Sequence, residues 1–285
     1  MLSRVLILLV LTILLVLTIA SSARAQSTDV LIEVDRGRTS GIFSKSAVFQ
    51  RAILVKPKKP TDTALLVFRG VPGYAMIESV KDRHRNLPSF IRLHQRLYLQ
   101  EGISLVVMDC PTDQWGSRGD YLPTSCFDRY RSSKEHADDV RSVLARLRDE
   151  HGLSKFYVLG HSQGTISSRW LARNLGAEIS GSIHSASVNI PSTKGFADSM
   201  PRFPYDTIKT PILHVHNELD SCRGTPYELV AKYAGENLLT VRGGIAEGDP
   251  CGGGHLHSYQ GIEEIVAKAV IAWIKSGKTD RVIGE

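Results

Sequence analysis

A serine stands between two glycines in the stretch GHSQG, where Gly160, Ser162 and Gly164 follow an apolar run and precede a helix-like segment. A strand that turns directly into a helix exposes its corner side chain, and flanking glycines let neighbouring main chain pass. The helix N-terminus adds backbone N–H groups and a partial positive charge at that corner. A helix-capping serine would explain the same hydroxyl. Ser162 is therefore a candidate nucleophile whose assignment depends on its partners.

Those partners are a base that takes the serine proton and an acid that orients the base. For a nucleophile at a strand-to-helix turn, the expected chain order is serine, acid, histidine. Asp220 lies in the turn after the strand-like run PILHVHN; we favour it over Glu218 because it lies further into the loop. The later stretch GGGHLHSYQG supplies His255 and His257. We favour His255, because the glycines before it let the main chain approach the serine, and His257 remains the alternative.

An attacked carbonyl would also need two N–H donors for its oxyanion. The backbone N–H of Gln163 directly follows the serine and is the first candidate. The second candidate is Val71 in the stretch RGVPG, since Pro72 has no N–H to donate. Each donor would lower the barrier by about 3 kcal/mol. A simple Pro-Gly turn is the alternative for this stretch.

Apolar runs that alternate with amphipathic segments must position these residues. The predicted strands are Val30–Val34, Phe49–Val55, Ala64–Phe68, Ile103–Asp109, Phe156–Gly160, Ile179–Ser185, Ile212–His216 and Leu238–Val241. The predicted helices are Pro88–Leu99, Ser133–Glu150, Gln163–Asn174, Pro226–Tyr233 and Ile262–Lys275. This order predicts an α/β fold with a mainly parallel eight-stranded sheet flanked by helices, opened by an antiparallel hairpin. The site should lie beyond the carboxyl ends of the strands.

The first 25 residues differ from the rest. Arg4 precedes the apolar stretch Val5–Ala20, and an Ala-x-Ala sequence ends at Ala25. This pattern predicts a signal peptide over residues 1–25, with residues 26–285 forming one domain that is periplasmic or secreted and has no stable membrane anchor after cleavage. Only about two dozen residues separate the predicted strands that end at Ser185 and begin at Ile212, so any lid inserted there is minimal.

The charge pattern excludes one class of partner. The formal net charge is +6, and removal of the two arginines of residues 1–25 leaves 33 basic against 29 acidic residues, or +4. The basic residues are scattered, and KPKK at 56–59 is short enough to be a solvated loop. We therefore expect no nucleic-acid partner.

Four cysteines form an even set in a chain predicted to enter an oxidising compartment. Three pairings are possible, and we favour Cys110 with Cys126 and Cys222 with Cys251. The second bridge would tie the loop of the candidate acid to the loop of the candidate base. Each bridge would stabilise the fold by about 3–4 kcal/mol on the chain-entropy view.

Histidines also occur in a pattern that some zinc sites use. The stretch HVH places His214 and His216 on one face of a predicted strand. Because neither an HExxH nor a CxxC motif accompanies them, we interpret them as hydrogen-bonded strand histidines and expect no metal.

Taken together, GHSQG, the loop acid Asp220 and the late GGGH ending at His255 resemble the α/β-hydrolase superfamily, over essentially the whole chain after residue 25. Two departures stand out. Arg69 replaces the histidine of a His-Gly-x-Pro-Gly loop that many members carry, and Asn217 stands where a glycine is common. Within the superfamily, the chain is most similar to secreted bacterial hydrolases.

The resemblance implies a serine hydrolase that acts on a small-molecule ester or thioester without a cofactor. Ser162 would attack the carbonyl, His255 would take and return the proton, and Asp220 would orient His255. The N–H groups of Val71 and Gln163 would hold the oxyanion. A peptidase or amidase with the same machinery is one alternative, and a hydrolase-fold binding protein without catalysis is another.

Overall fold

The computed structural model describes residues 29–41, 45–115, 126, 128–190 and 203–285. The predicted signal peptide, residues 1–25, lies outside these residues, as does the 191–202 part of the connection in which a minimal lid was expected. Within the described ranges, no helix is both long and apolar enough to cross a membrane.

Within the described residues, nine strands form one sheet in the order β1-β2-β4-β3-β5-β6-β7-β8-β9. They are β1 Val30–Ser40, β2 Ser46–Val55, β3 Thr63–Phe68, β4 Ile103–Met108, β5 Lys155–His161, β6 Gly181–Ser185, β7 Ile212–Asn217, β8 Leu238–Val241 and β9 Val282–Ile283. Strand β2 is antiparallel to β1 and β4, and every other neighbouring pair is parallel. This confirms the mainly parallel sheet and its opening hairpin. The ninth strand was not predicted, because two residues are too few to show a periodicity.

Helices cover both faces of the sheet. They are α1 Ser89–Arg92, α2 Gln95–Gln100, α3 Asp128–Arg131, α4 Lys134–His151, α5 Gly164–Leu175, α6 Tyr227–Ala234 and α7 Glu263–Ser276. The helix predicted over Pro88–Leu99 is divided into α1 and α2, because His94 takes a non-helical conformation with φ −113° and ψ 23°. Helix α3 was not predicted, since four residues show no helical repeat.

The central strands are buried on both faces, as their continuous apolar runs predict. In β3, Leu65 contributes to one core cluster and its neighbour Leu66 to the other, and both are fully buried. The first cluster includes Phe90 of α1, and the second includes Leu144 of α4. A rigid two-sided core of this kind fixes the carboxyl ends of the strands, where the candidate site residues lie.

Candidate active site

The corner that carries Ser162 is a sharp turn between β5 and α5. Ser162 has φ 54°, an unfavourable backbone conformation for a residue with a side chain. A Cβ atom on Gly160 would overlap the carbonyl oxygen of Gly164, and one on Gly164 would overlap that of Phe68. The Ser162 N–H donates to the carbonyl of Ser185 on the neighbouring strand, at 2.9 Å. Both positions therefore require glycine, because neighbouring main chain passes too close for a side chain. This close packing holds Ser162 at the end of β5.

Helix α5 begins directly behind this corner. The carbonyl of Ser162 accepts hydrogen bonds from the N–H and the hydroxyl of Thr165, at 2.9 and 2.6 Å. The side chain of Gln163 donates to Asp128 at 3.0 Å. Its backbone N–H has no acceptor among the described residues, which leaves it able to bind an oxyanion at the helix N-terminus.

The loop predicted to supply the second oxyanion donor lies against the serine. A Cβ atom on Gly70 would lie 3.1 Å from the Ser162 Cβ and 3.5 Å from its Oγ. Val71, the next residue, is exposed to 45%. Glycine at position 70 thus lets the loop approach the hydroxyl closely, as a shared oxyanion pocket requires.

A fully buried arginine fastens this loop. Arg131 donates through Nη2 to the Arg69 carbonyl at 3.1 Å, through Nη1 to the Ser167 hydroxyl at 3.0 Å and through Nε to the Cys126 carbonyl at 2.8 Å. Burial lowers the pKa of Arg131 to about 10, so the guanidinium stays charged at neutral pH. Sequence reasoning missed this residue, because a lone arginine in the long connection between two predicted elements shows no pattern.

The candidate acid is Asp220, whose carboxylate is sealed from solvent. One oxygen accepts the N–H of Cys222 at 2.9 Å, and the other accepts the Thr225 hydroxyl at 2.8 Å and His257 Nδ1 at 2.9 Å. Burial alone would raise the pKa of Asp220, but hydrogen bonds from two histidines outweigh it and hold the pKa well below its usual range. The competitor Glu218 instead pairs with exposed Arg242 at 3.1 Å.

The carboxylate contacts His257 rather than His255, so the geometry favours the alternative, His257, as the candidate base. His257 Nε2 is buried and has no partner in the described part of the chain. His255 precedes the 3₁₀ turn Leu256–Ser258, and its carbonyl accepts the N–H of Ser258 at 2.9 Å. Two further residues are needed to turn the chain after the glycine run, so the second histidine faces Asp220. The glycine-rich sequence before His255 gives no sign of this turn.

A second histidine reaches the same carboxylate oxygen. His216 Nε2 lies 2.9 Å from the Thr225 carbonyl and 3.3 Å from Asp220 Oδ2. Because a carbonyl only accepts, Nε2 of His216 carries a proton and can share it between the two oxygens. The sequence placed this residue in HVH but gave no sign of a contact with Asp220, four residues later.

A series of buried polar side chains connects the loop of His257 to the turn that carries Ser162. The rings of His161 and His257 lie 5.1 Å apart, and His161 Nδ1 is 3.0 Å from the Ser185 hydroxyl. That hydroxyl contacts the Tyr259 hydroxyl at 2.8 Å, which donates to the Val215 carbonyl at 2.9 Å. Burial holds the pKa of His161 well below its usual range, so this ring stays neutral. The candidate base is thereby kept beside the residue that precedes Ser162.

Both predicted disulfides are confirmed. Cys222 pairs with Cys251 and joins the loop of Asp220 to the loop of His257. Cys110 pairs with Cys126, whose carbonyl is one of the acceptors of Arg131, so this bridge lies behind the oxyanion loop. Over the described residues, no group of three or more metal-ligating side chains could hold a metal ion.

The family profile with the description alpha/beta hydrolase fold matches residues 65–215, more than half of the chain. The chain belongs to the α/β-hydrolase superfamily. Solved structures with a similar fold include Est1E from Butyrivibrio proteoclasticus, at TM-score 0.53 and 15% identity over 86% of this chain and 97% of that one. Pyrococcus furiosus esterase Pf2001 has TM-score 0.53 and 14% identity over 87% and 92%.

A third similar structure is the dienelactone hydrolase from Anabaena variabilis ATCC 29413, at TM-score 0.53 and 15% identity over 88% of this chain and 98% of that one. Identities this low show the shared fold alone. No curated protein matches the sequence.

Proposed function

We propose that this α/β-hydrolase cleaves carboxylic esters of small molecules through Ser162, His257 and Asp220. The observation that carries the proposal is the 2.9 Å hydrogen bond between His257 Nδ1 and the buried carboxylate. Because the carboxylate accepts the Nδ1 proton, Nε2 keeps its lone pair, and it has no partner among the described residues. The serine at the strained corner supplies the proton that this lone pair would take.

In the first half of the reaction, Ser162 Oγ attacks the ester carbonyl while His257 Nε2 takes its proton. The tetrahedral oxyanion accepts the N–H groups of Gln163 and Val71. When the intermediate collapses, the ester C–O bond breaks and His257 returns the proton to the leaving alkoxide. The product alcohol departs and an acyl-enzyme remains.

In the second half, a water molecule attacks the acyl carbonyl and gives its proton to His257. The same donors hold the second oxyanion, the bond to Ser162 Oγ breaks, and the serine recovers its proton from His257. Asp220 keeps its charge throughout. Its three other donors, from His216, Cys222 and Thr225, hold it in place while the imidazolium forms.

Esters are the favoured substrate class for two reasons. The chemistry needs only a good oxyanion pocket and a moderate leaving group, and one of the similar structures, Pf2001, is named as an esterase. An amide bond would need the same groups with a poorer leaving group. When hydrolysis of an ester and of an amide with the same acyl group is measured, we expect the ester to be hydrolysed faster.

We further propose that the protein is exported by a cleaved leader over residues 1–25. All four cysteines are paired, which suits an oxidising compartment. Mass spectrometry of the protein isolated from its native host should then give a chain that starts at Gln26. A chain that retains residues 1–25 would contradict this proposal.

Fluorophosphonate labelling tests the nucleophile. The wild type should be labelled and Ser162→Ala should not, while Ser276→Ala, an exposed serine at the end of α7, should label like the wild type. A panel of short and long acyl esters, with the matched amides, then defines the substrate. Undiminished labelling of Ser162→Ala would move the nucleophile elsewhere.

A further inference from the structure

A second fully buried arginine has no counter-charge among the residues that the structure describes. Arg169 of α5 has no exposed surface, and its Nη2 lies 3.4 Å from the hydroxyl of Tyr233. Its Nε and Nη1 are buried and have no hydrogen-bond partner among the described residues. No described carboxylate lies within ion-pair distance of it.

Burial of this positive charge destabilises the fold unless a negative group neutralises it. A guanidinium cannot escape burial by losing its proton, because its pKa in water is too high. A buried water could accept an N–H but would leave the charge uncompensated. An unpaired buried cation is strongly destabilising, so the surroundings of Arg169 call for a negative group.

The side chains around Arg169 supply donors and no negative charge. The guanidinium carbon lies 5.7 Å from the Tyr205 ring, which stacks on Tyr233 at 4.7 Å and contacts His214 at 5.2 Å. The buried Tyr205 hydroxyl lies beside Arg169 and Tyr233, and His214 Nδ1 is buried without a partner among the described residues. Burial raises the pKa of Tyr205 well above its usual range and lowers that of His214 to about 3, so both groups are neutral. Arg169 is therefore the positive charge of this cluster.

A cavity reaches three of the side chains that surround Arg169. It has a volume of 340 Å³, and its lining includes Tyr205, His214 and Tyr233, together with Lys209 and Ile212. Ile212 is the first residue of β7, so the cavity opens at the amino end of that strand. The proposed catalytic residues lie at the opposite, carboxyl end. The cavity is thus separate from the proposed active site.

We propose that Arg169, Tyr205 and His214 bind a small monovalent anion, a halide ion or a small carboxylate, that enters through this cavity. The guanidinium Nε and Nη1 provide the charge and two N–H donors, and the phenol and imidazole provide neutral donors. A single negative charge matches the one buried guanidinium, since Lys209 in the cavity lining is exposed. The site would stabilise the junction of α5, β7 and α6 and does not depend on the chemistry of Ser162.

Thermal denaturation in sodium bromide and in sodium formate tests the proposal, with ionic strength held constant by a bulky sulfonate buffer. An anion at about 100 times its Kd should raise the wild-type Tm by about 5–10 °C. Arg173→Met, which removes an exposed arginine one turn later on α5, should respond like the wild type. Arg169→Met should lose the anion-dependent rise. Equal rises in Arg169→Met and wild type would overturn the proposal, and a rise with only one salt identifies the source.

A crystal structure gives a second readout that needs no variant. Wild-type crystals grown in sodium bromide should show an anomalous bromide peak at about 3.3 Å from the unpartnered nitrogens of Arg169. If the anion is a carboxylate only, planar density for formate should occupy the same place in formate-grown crystals. Density for water alone in both crystals would refute the anion site, whatever the variants do.

Discussion

Exchange of each candidate histidine for glutamine separates His257 from its neighbour. In His257→Gln, the amide N–H can still donate to Asp220, so the fold should persist, but no side-chain lone pair of sufficient basicity remains to take the serine proton. His255→Gln makes the same chemical change two residues earlier. Because His255 has no contact with Asp220, its loss should leave the proposed proton path intact.

The contacts of the two histidines set the expected difference in kcat between the two variants. Loss of a positioned general base lowers the rate by about 10²–10⁴-fold, which corresponds to about 3–5 kcal/mol in the barrier. His255 Nδ1 has no described hydrogen-bond partner to lose, so His255→Gln should lower kcat by about threefold or less, under about 0.7 kcal/mol. The two variants should thus differ by at least about 30-fold in kcat.

Steady-state hydrolysis of p-nitrophenyl acetate, measured beside circular dichroism and Tm, gives the comparison. Both variants should melt close to the wild type, and only His257→Gln should lose activity. If His255→Gln loses more activity than His257→Gln while both remain folded, the assignment of the base made from the 2.9 Å contact is refuted.

Three further predictions follow from the contacts around the site. Arg131→Met should lower kcat by about 10- to 100-fold with a smaller change in KM, because the Arg69 carbonyl and the oxyanion loop lose their anchor; an unchanged kcat in steady-state assays would contradict this. Reduction of Cys222–Cys251, compared with Cys222→Ser, should abolish ester hydrolysis at lower dithiothreitol concentrations than those that alter circular dichroism, and simultaneous loss would count against the loop-tying role. Asp220→Asn should cost about 1.5–3 kcal/mol of unfolding free energy at pH 7. Since the folded pKa of Asp220 lies below its unfolded value of about 3.9, this stabilisation is present above that value and is lost as pH falls through the folded pKa. Urea denaturation should show a smaller difference at pH 2.5, and a constant difference would contradict the charged hydrogen bonds.

The sheet could be predicted from the sequence because its central strands are apolar on both faces and alternate with amphipathic helices. The strained corner at Ser162 could be predicted too, since its two glycines have few other uses in a strand-to-helix turn. Both disulfides followed from the loops that the strands bring together. These features are local, or follow from the order of the elements along the chain.

What the sequence could not reveal depends on turns and on contacts between distant residues. The choice between His255 and His257 depends on a three-residue 3₁₀ turn, which is too short to be predicted from a repeat in the sequence. Arg131 and His216 act through contacts with Arg69 and Asp220 that require the folded sheet. The sequence around Arg169 gives no sign that this helix arginine is fully buried.

The most direct test of the proposed triad is a crystal structure of the protein after reaction with a phosphonate ester. We expect a covalent bond from phosphorus to Ser162 Oγ, with the phosphoryl oxygen about 2.7–3.1 Å from the N–H groups of Gln163 and Val71. His257 Nε2 should lie within hydrogen-bond distance of Ser162 Oγ, with Asp220 still on Nδ1. Phosphorus bound elsewhere, or His257 turned away from the adduct, would contradict the proposed mechanism.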